Sequence, residues 1–513
     1  MKNKSLLFFG RTLITGIALT LALAGCPAPV DSGYGGFVGF GNPLAEQLAQ
    51  QLAADINAIS AGSATVNGAT VTLSGKLSLE SQFIVPAGVT LDLTGDGELA
   101  LLDAVLTVNG MVKAGTEKVR MRTAASWGAI NGSGTIQLKG KGRLLDINDN
   151  RTLTLDGVTL AGVADNNVSL VGVNNGGEIV MKSGAITGNI HRNEGDTGGG
   201  VRVSNGGMFT MQGGAISGNT VQGEGGTGGG VHLSGGSTFT MKGGTISGNS
   251  AGNDGGGVCV GRDCLFTMEG GKITGNSART AGGVKVDFPS VDPVENGGTF
   301  IMKGGAITGN SALGSSGGGV KVYGGAVGEG GTFIMEGGAI TNNSTDGYHG
   351  GGGVSLTGGA ATFIMKSGVI SGNSASGGGG AEVHDGSAFT MQGGTISGNT
   401  GTHGGGGVDV RGGDATATFT MEGGAISGNS AGSSGGGVSV YIGGTFTMKG
   451  GTIYGKTGSL ANIASNNVAL EVSQNAVEAK WGTGGTYTKG GVGQTGGGDI
   501  GDTDDTLIAI PAP

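Results

Sequence analysis

Residues 228–249 read Gly-Gly-Gly-Val-His-Leu-Ser-Gly-Gly-Ser-Thr-Phe-Thr-Met-Lys-Gly-Gly-Thr-Ile-Ser-Gly-Asn. Three short runs, Val231-His232-Leu233, Phe239-Thr240-Met241 and the residues around Ile246, alternate apolar with polar side chains. Period-two alternation predicts strands with one buried face, and the glycine clusters between them supply turns. One such stretch is one coil of three strands.

The stretch recurs. Met returns at 181, 211, 241, 268, 302, 335, 365, 391, 421 and 448, at spacings of 26 to 34 residues. A period of that size means stacked supersecondary units. The 121 glycines would fit a disordered or collagen-like chain, but there are only 8 prolines and no Gly-X-Y triplet. The expected fold is all-β: a right-handed parallel β-helix with three short strands per coil and a helix capping its N-terminal end. Stacking coils about 4.8 Å apart places like residues in ladders. Phe209, Phe239, Phe266, Phe300, Phe333, Phe363, Phe389, Phe419 and Phe446 form one, beside Met and Ile columns. The residue after each Met should point outward: Lys182, Gln212, Lys242, Glu269, Lys303, Glu336, Lys366, Gln392, Glu422 and Lys449. No neighbouring pair shares a sign, as registered stacking requires. Asparagines from Asn189 to Asn429 recur at the turn after the third strand, where left-handed backbone and amide ladders suit them.

The ends differ from the repeat. Lys2, Lys4 and Arg11 precede an apolar run, Leu13 to Leu23, closed by Leu23-Ala24-Gly25-Cys26. This resembles a bacterial lipoprotein signal (1–25), with lipid on Cys26 and a tether over 26–42; the alternative is an ordinary secretory signal. Acyl chains contribute about 0.8 kcal/mol per buried methylene, so multiple acylation would anchor the chain to a membrane. Pro27, rather than an aspartate, follows the cysteine and favours the outer membrane, so the expected location is the outer membrane or cell surface, on either face. Asn42-Pro43 starts a helix expected over 43–61, with Leu44, Leu48, Leu52, Ile56 and Ile59 as its apolar stripe. Residues 62–170 alternate as strands but lack the signature, so irregular first coils are expected there. The regular repeats cover 171–454. Residues 455–513, with Trp481, Tyr487 and Leu507-Ile508-Ala509-Ile510, are expected to close the last coil.

The Gly-Gly-Ala-Ile tetrads at 213, 304, 337 and 423, with Gly-Gly-Thr-Ile at 243 and 393, resemble repeats of chlamydial polymorphic outer-membrane proteins. The arrangement is also similar to glycine-rich, pectate-lyase-like β-helix lipoproteins of spirochaetes. The first resemblance implies a passenger associated with adhesion, although that family's Phe-x-x-Asn motif does not recur. The residues after Tyr454 are too few for a membrane barrel, so the lipid is the expected anchor. The second resemblance implies an alternative, a polysaccharide lyase or glycoside hydrolase, whose carboxylates sit on adjacent coils.

The formal charge is −9, and removing the signal's three basic residues leaves −12. That argues against nucleic acid as a partner. The middle residue of the Val-x-Val strand reads Arg202, His232, Cys259, Lys285, Lys321, Ser355, Glu382, Asp409 and Ser439. Glu382 and Asp409 are the weak catalytic candidates, near His384, Asp385, His403 and Arg411. The competing reading is a solvated acidic face, because the coils around them look regular. Cys259 and Cys264 flank a short turn and are expected to form a disulfide, the alternative being two free thiols. Asp499, Asp502, Asp504 and Asp505 are the weak metal candidates, but match no EF-hand loop. No cofactor is expected. A host, matrix or glycan ligand would meet the variable loops 190–198, 287–297 and 323–331.

Overall fold

A computed structural model describes residues 42–510 except for short stretches, the longest being 60–62, 116–118, 122–125, 193–196, 288–295, 326–329, 466–469, 473–477, 482–485 and 500–506. The strands stack coil on coil in sheets of 19, 16, 12 and 10 strands, parallel except at the ends of the two largest, with a three-stranded sheet among the first coils. Together they make a β-solenoid.

One coil shows the plan: Val231–Leu233, Thr238–Met241, Thr245–Ser247 and Ser250–Asp254, each paired with its counterpart one coil on. The first three are the expected strands. The fourth, mostly two residues long, follows the asparagine and completes a separate ladder that starts at Ile190–His191. In most coils its side chains are short polar residues and alanine, so hydrophobic alternation gives no sign of it.

The ladders stand in the expected register. Phe239 to Phe363 stack nearly parallel, with ring centroids 4.7–4.8 Å apart. All nine repeat phenylalanines are buried, as are the Met and Ile columns. Lys366 reaches Glu336 at 3.0 Å and Lys449 reaches Glu422 at 3.3 Å on the exposed column. Such pairs contribute little energy, about 0–1 kcal/mol each, but they confirm the register.

The asparagines stand at the corner after the third strand, as expected, and are buried there at 0–1% exposure. Asn276 offers both its backbone N–H and its Nδ2 to Asn310 Oδ1, at 3.0 and 2.9 Å, and donates again to the Ile246 carbonyl. The same set repeats along the ladder, which Asn166 begins and Asn462 ends. The second glycine after each Met also has a structural cause. At Gly305, φ is +83°, and a Cβ would lie 2.7 Å from both the Gly271 carbonyl and the Met268 methyl of the previous coil.

Residues 62–170 are more regular than expected. Their strands Phe83–Val85, Val105–Val108, Trp127–Asn131 and Thr152–Asp156 lead in register into the Phe–Met wall, with Leu and Val doing the filling. The helix Pro43–Ile59 begins as expected, with Asn42 Oδ1 accepting from the Ala45 N–H. Its buried face is Ala45, Ala49, Leu52, Ala53 and Ile56, whereas Leu44 is exposed. Alanines allow a close approach: a Cβ on Gly88 would sit 3.2 Å from that of Ala45. At the other end, Leu507–Ile510 pairs antiparallel with Gly451–Ile453, and Leu507 is buried in the core. A reversed strand thus covers the parallel edge of that ladder.

Candidate functional site: a roofed polar column

In each Val-x-Val strand the flanking residues fill the core, so the middle residue points out of the coil. The parallel register stacks Arg202, His232, Cys259, Lys285, Lys321, Ser355, Glu382, Asp409 and Ser439 into one column. The sequence reading places that column in solvent. The structure roofs it.

The roof is the glycine tract preceding each strand. A Cβ on Gly228 would lie 2.7 Å from the His232 Cβ, and one on Gly317 2.7 Å from that of Lys321. Three consecutive tracts, 350–353, 377–380 and 404–407, contain four glycines where most others contain three. There the chain curls tighter still. A Cβ on Gly351, Gly378 or Gly405 would fall 1.7–2.0 Å from the carbonyl of Val354, Ala381 or Val408. Beneath lie Ser355, Glu382, Asp409 and Ser439, all at most 1% exposed.

The column divides electrostatically. In its basic half, Lys285 Nζ lies 2.7 Å from Asp254 and 3.3 Å from Asp287. The Lys321 ammonium lies 5.5 Å from the centre of the Tyr323 ring. Burial, aided by Arg202 and Lys285, depresses His232 to a pKa of about 3, so it stays neutral. In the acidic half, Arg411 Nε donates to Asp409 Oδ2 at 2.5 Å while its guanidinium lies over the Tyr441 ring at 4.7 Å. Glu382 accepts from the Gly350 N–H, yet its Oε1 atom has no hydrogen-bond partner. Burial, with Asp409 beside it, pushes its carboxyl up to about 7.

The two acids are neighbours in register, as the sequence predicts, and Arg411 is bonded to Asp409. They form no open carboxylate pair, because glycine backbone occupies the space above both. His384 and Asp385 follow Glu382, with His384 in register with Arg411. His403 lies apart on an exposed turn beside Ser376 and Thr402. Burial at this place was legible in one signal, the fourth glycine in three successive tracts.

The expected disulfide is absent: Cys259 and Cys264 are free and buried. Cys259 faces outward under the roof, between His232 and Lys285 in register, while Cys264 joins the interior core. The wall of the coil separates them, and burial pushes both thiols up. Among the described residues no group of three or more His, Cys, Asp or Glu side chains could hold a metal. The Asp499 backbone lies in a short strand antiparallel to Lys480–Trp481. Asp502, Asp504, Asp505 and Cys26 lie outside the described residues, as do 288–295 and 326–329 within the candidate recognition loops. No described helix is long and apolar enough to cross a membrane. Comparison with protein-family models, with curated proteins and with solved structures finds no match.

Proposed function

We propose that this chain is a lipid-anchored protein of the cell envelope, a rigid non-catalytic β-solenoid that displays loops for recognition at the outer membrane or cell surface. The observation that carries the reading is the placement of two long insertions. They leave the same corner in consecutive coils, between Val284–Val286 and Thr299–Met302, then between Val320–Tyr323 and Thr332–Met335. Their bases stack closely: a Cβ on Gly297 would lie 2.2 Å from the Gly330 carbonyl. Insertions in solenoids collect on binding faces.

A polysaccharide-cleaving role has less support. Catalytic carboxylates must reach a sugar, and a glycosidase holds its pair about 5–9.5 Å apart with room for substrate or water between them. Glu382 and Asp409 are buried under glycine backbone instead.

The test has two arms. Lipid labelling should mark the wild type and not C26S, and protease added to intact cells should cut the wild type. Binding to host matrix or glycan surfaces should fall when 288–295 and 326–329 are both replaced by short glycine linkers. Unlabelled, uncut protein would overturn the anchoring. Unchanged binding, or none in the wild type, would leave a purely structural envelope role.

A further inference from the structure

Three consecutive coils depart from the repeat in two ways at once. Their glycine tracts gain a residue, and their outward positions become Ser355, Glu382 and Asp409. The carboxylates are adjacent in register, and the cation beside them, Arg411, is bonded to Asp409. On the other side of Glu382 stands Ser355, then Lys321 one coil further on. His384 and Asp385 end the Glu382 strand, Tyr441 covers Arg411, and Ser439 follows Asp409. Nothing in that set bonds Glu382 Oε1, and the roof at Gly377 leaves room for no side chain: a Cβ there would be 2.8 Å away.

An ionised Glu382 would therefore be a buried charge beside a like charge, which is costly. A protonated one needs only an acceptor, and Asp409 presents carboxylate oxygens one strand away. We propose that Glu382 and Asp409 hold one proton between them, and that its loss to solvent base loosens the glycine straps at 350–353 and 377–380 and hydrates the column. The step is a single proton transfer; no other bond is made or broken. The straps are suited to opening, because glycine regains more backbone freedom than any other residue.

The pH window follows from the shift. In an opened strap Glu382 titrates near its ordinary value of 4.5, and in the closed one near 7. Closure is complete below the lower value, weakens as pH rises between the two, and is level above the higher. The opening constant should grow on the order of a hundredfold from pH 5 to pH 7.5.

Hydrogen exchange on the full chain tests this. The reporters are the ladder-bonded amides of Gly352, Gly353, Gly379 and Gly380, with Gly229, Gly230, Gly256 and Gly257 as controls in tracts whose outward residues are His232 and Cys259. After correction for intrinsic base catalysis, protection of the reporters should fall about a hundredfold between pH 5 and 7.5 while the controls hold, and E382Q should abolish the difference. Equal pH profiles in reporters and controls would overturn the proposal, and that comparison needs only the wild type should E382Q fail to fold. A pH response that survives in folded E382Q would also overturn it. So would restoration of protection at pH 7.5 by millimolar calcium, because the acids would then be a cation site.

Discussion

Replacing Asn310 with alanine tests what holds the coils in register. Four hydrogen bonds end on that side chain: its Oδ1 accepts from the Asn276 N–H and Nδ2, and its Nδ2 donates to Asn343 Oδ1 and the Ile273 carbonyl, all at 2.9–3.0 Å. Asn276 Nδ2 keeps the Ile246 carbonyl, and Asn343 Oδ1 keeps the backbone N–H at 310. The Asn276 N–H and the Ile273 carbonyl lose these partners. Ordinary bonds contribute about 1 kcal/mol each, and a buried group left unpaired costs about 1–3 kcal/mol, so N310A should cost roughly 3–6 kcal/mol. A solenoid unfolds by neighbouring units, so the loss is best read locally. Native-state hydrogen exchange should show the coils carrying Asn276, Asn310 and Asn343 opening about a thousandfold more often, which corresponds to about 4 kcal/mol, with the first coils unaffected. The exposed K303A is the comparison, expected within about 0.5 kcal/mol of wild type. If N310A changed local opening by less than tenfold, the asparagine ladder would not be the fastener described.

Three further outcomes are expected. F333A removes a ring stacked at 4.8 and 4.7 Å on its neighbours and should cost about 3–5 kcal/mol, read by local exchange or denaturation. L507D places a charge at a fully buried position and should detach the terminal strand from Gly451–Ile453, exposing a parallel edge; light scattering should report self-association absent from the wild type. Cys259 and Cys264 should resist alkylation in the native chain, react fully after denaturation without reductant, and show no mass change on reduction.

The sequence made the solenoid legible because each interior residue type repeats at one place: Phe239 predicts Phe266 and Phe300, and the register follows. The fourth ladder was not legible, since Ser277-Ala278 or Ser311-Ala312 carries too little apolar contrast to read as a strand. Nor was the plan of the first coils, where the same walls are filled by Leu and Val without the signature. The helix was found but its face misread, because three alanines supply the packing that the sequence reading assigned to leucines. Cys259 and Cys264 are close in sequence but fall on opposite sides of the wall, which spacing alone does not disclose.

The polar column shows why alternation does not fix exposure. Period two sets which way a side chain points from the strand; it does not say what lies beyond. Here the glycine tract lies beyond, and glycine can lie flat on the strand because it has no Cβ to hold it off. The column therefore becomes a second, polar interior alongside the apolar one, with Lys285 and Lys321 toward one end and Glu382 and Asp409 toward the other. Buried ion groups contribute little net stability, because desolvation offsets their attraction. The phenylalanine, methionine and isoleucine ladders already supply the burial that holds the coils, and the asparagines already set their register. Stability thus gives no reason for a carboxylate at 382 whose Oε1 finds no partner. Its environment makes sense only in terms of its charge, which is why the proton it carries, rather than a bond it makes, is the property to measure.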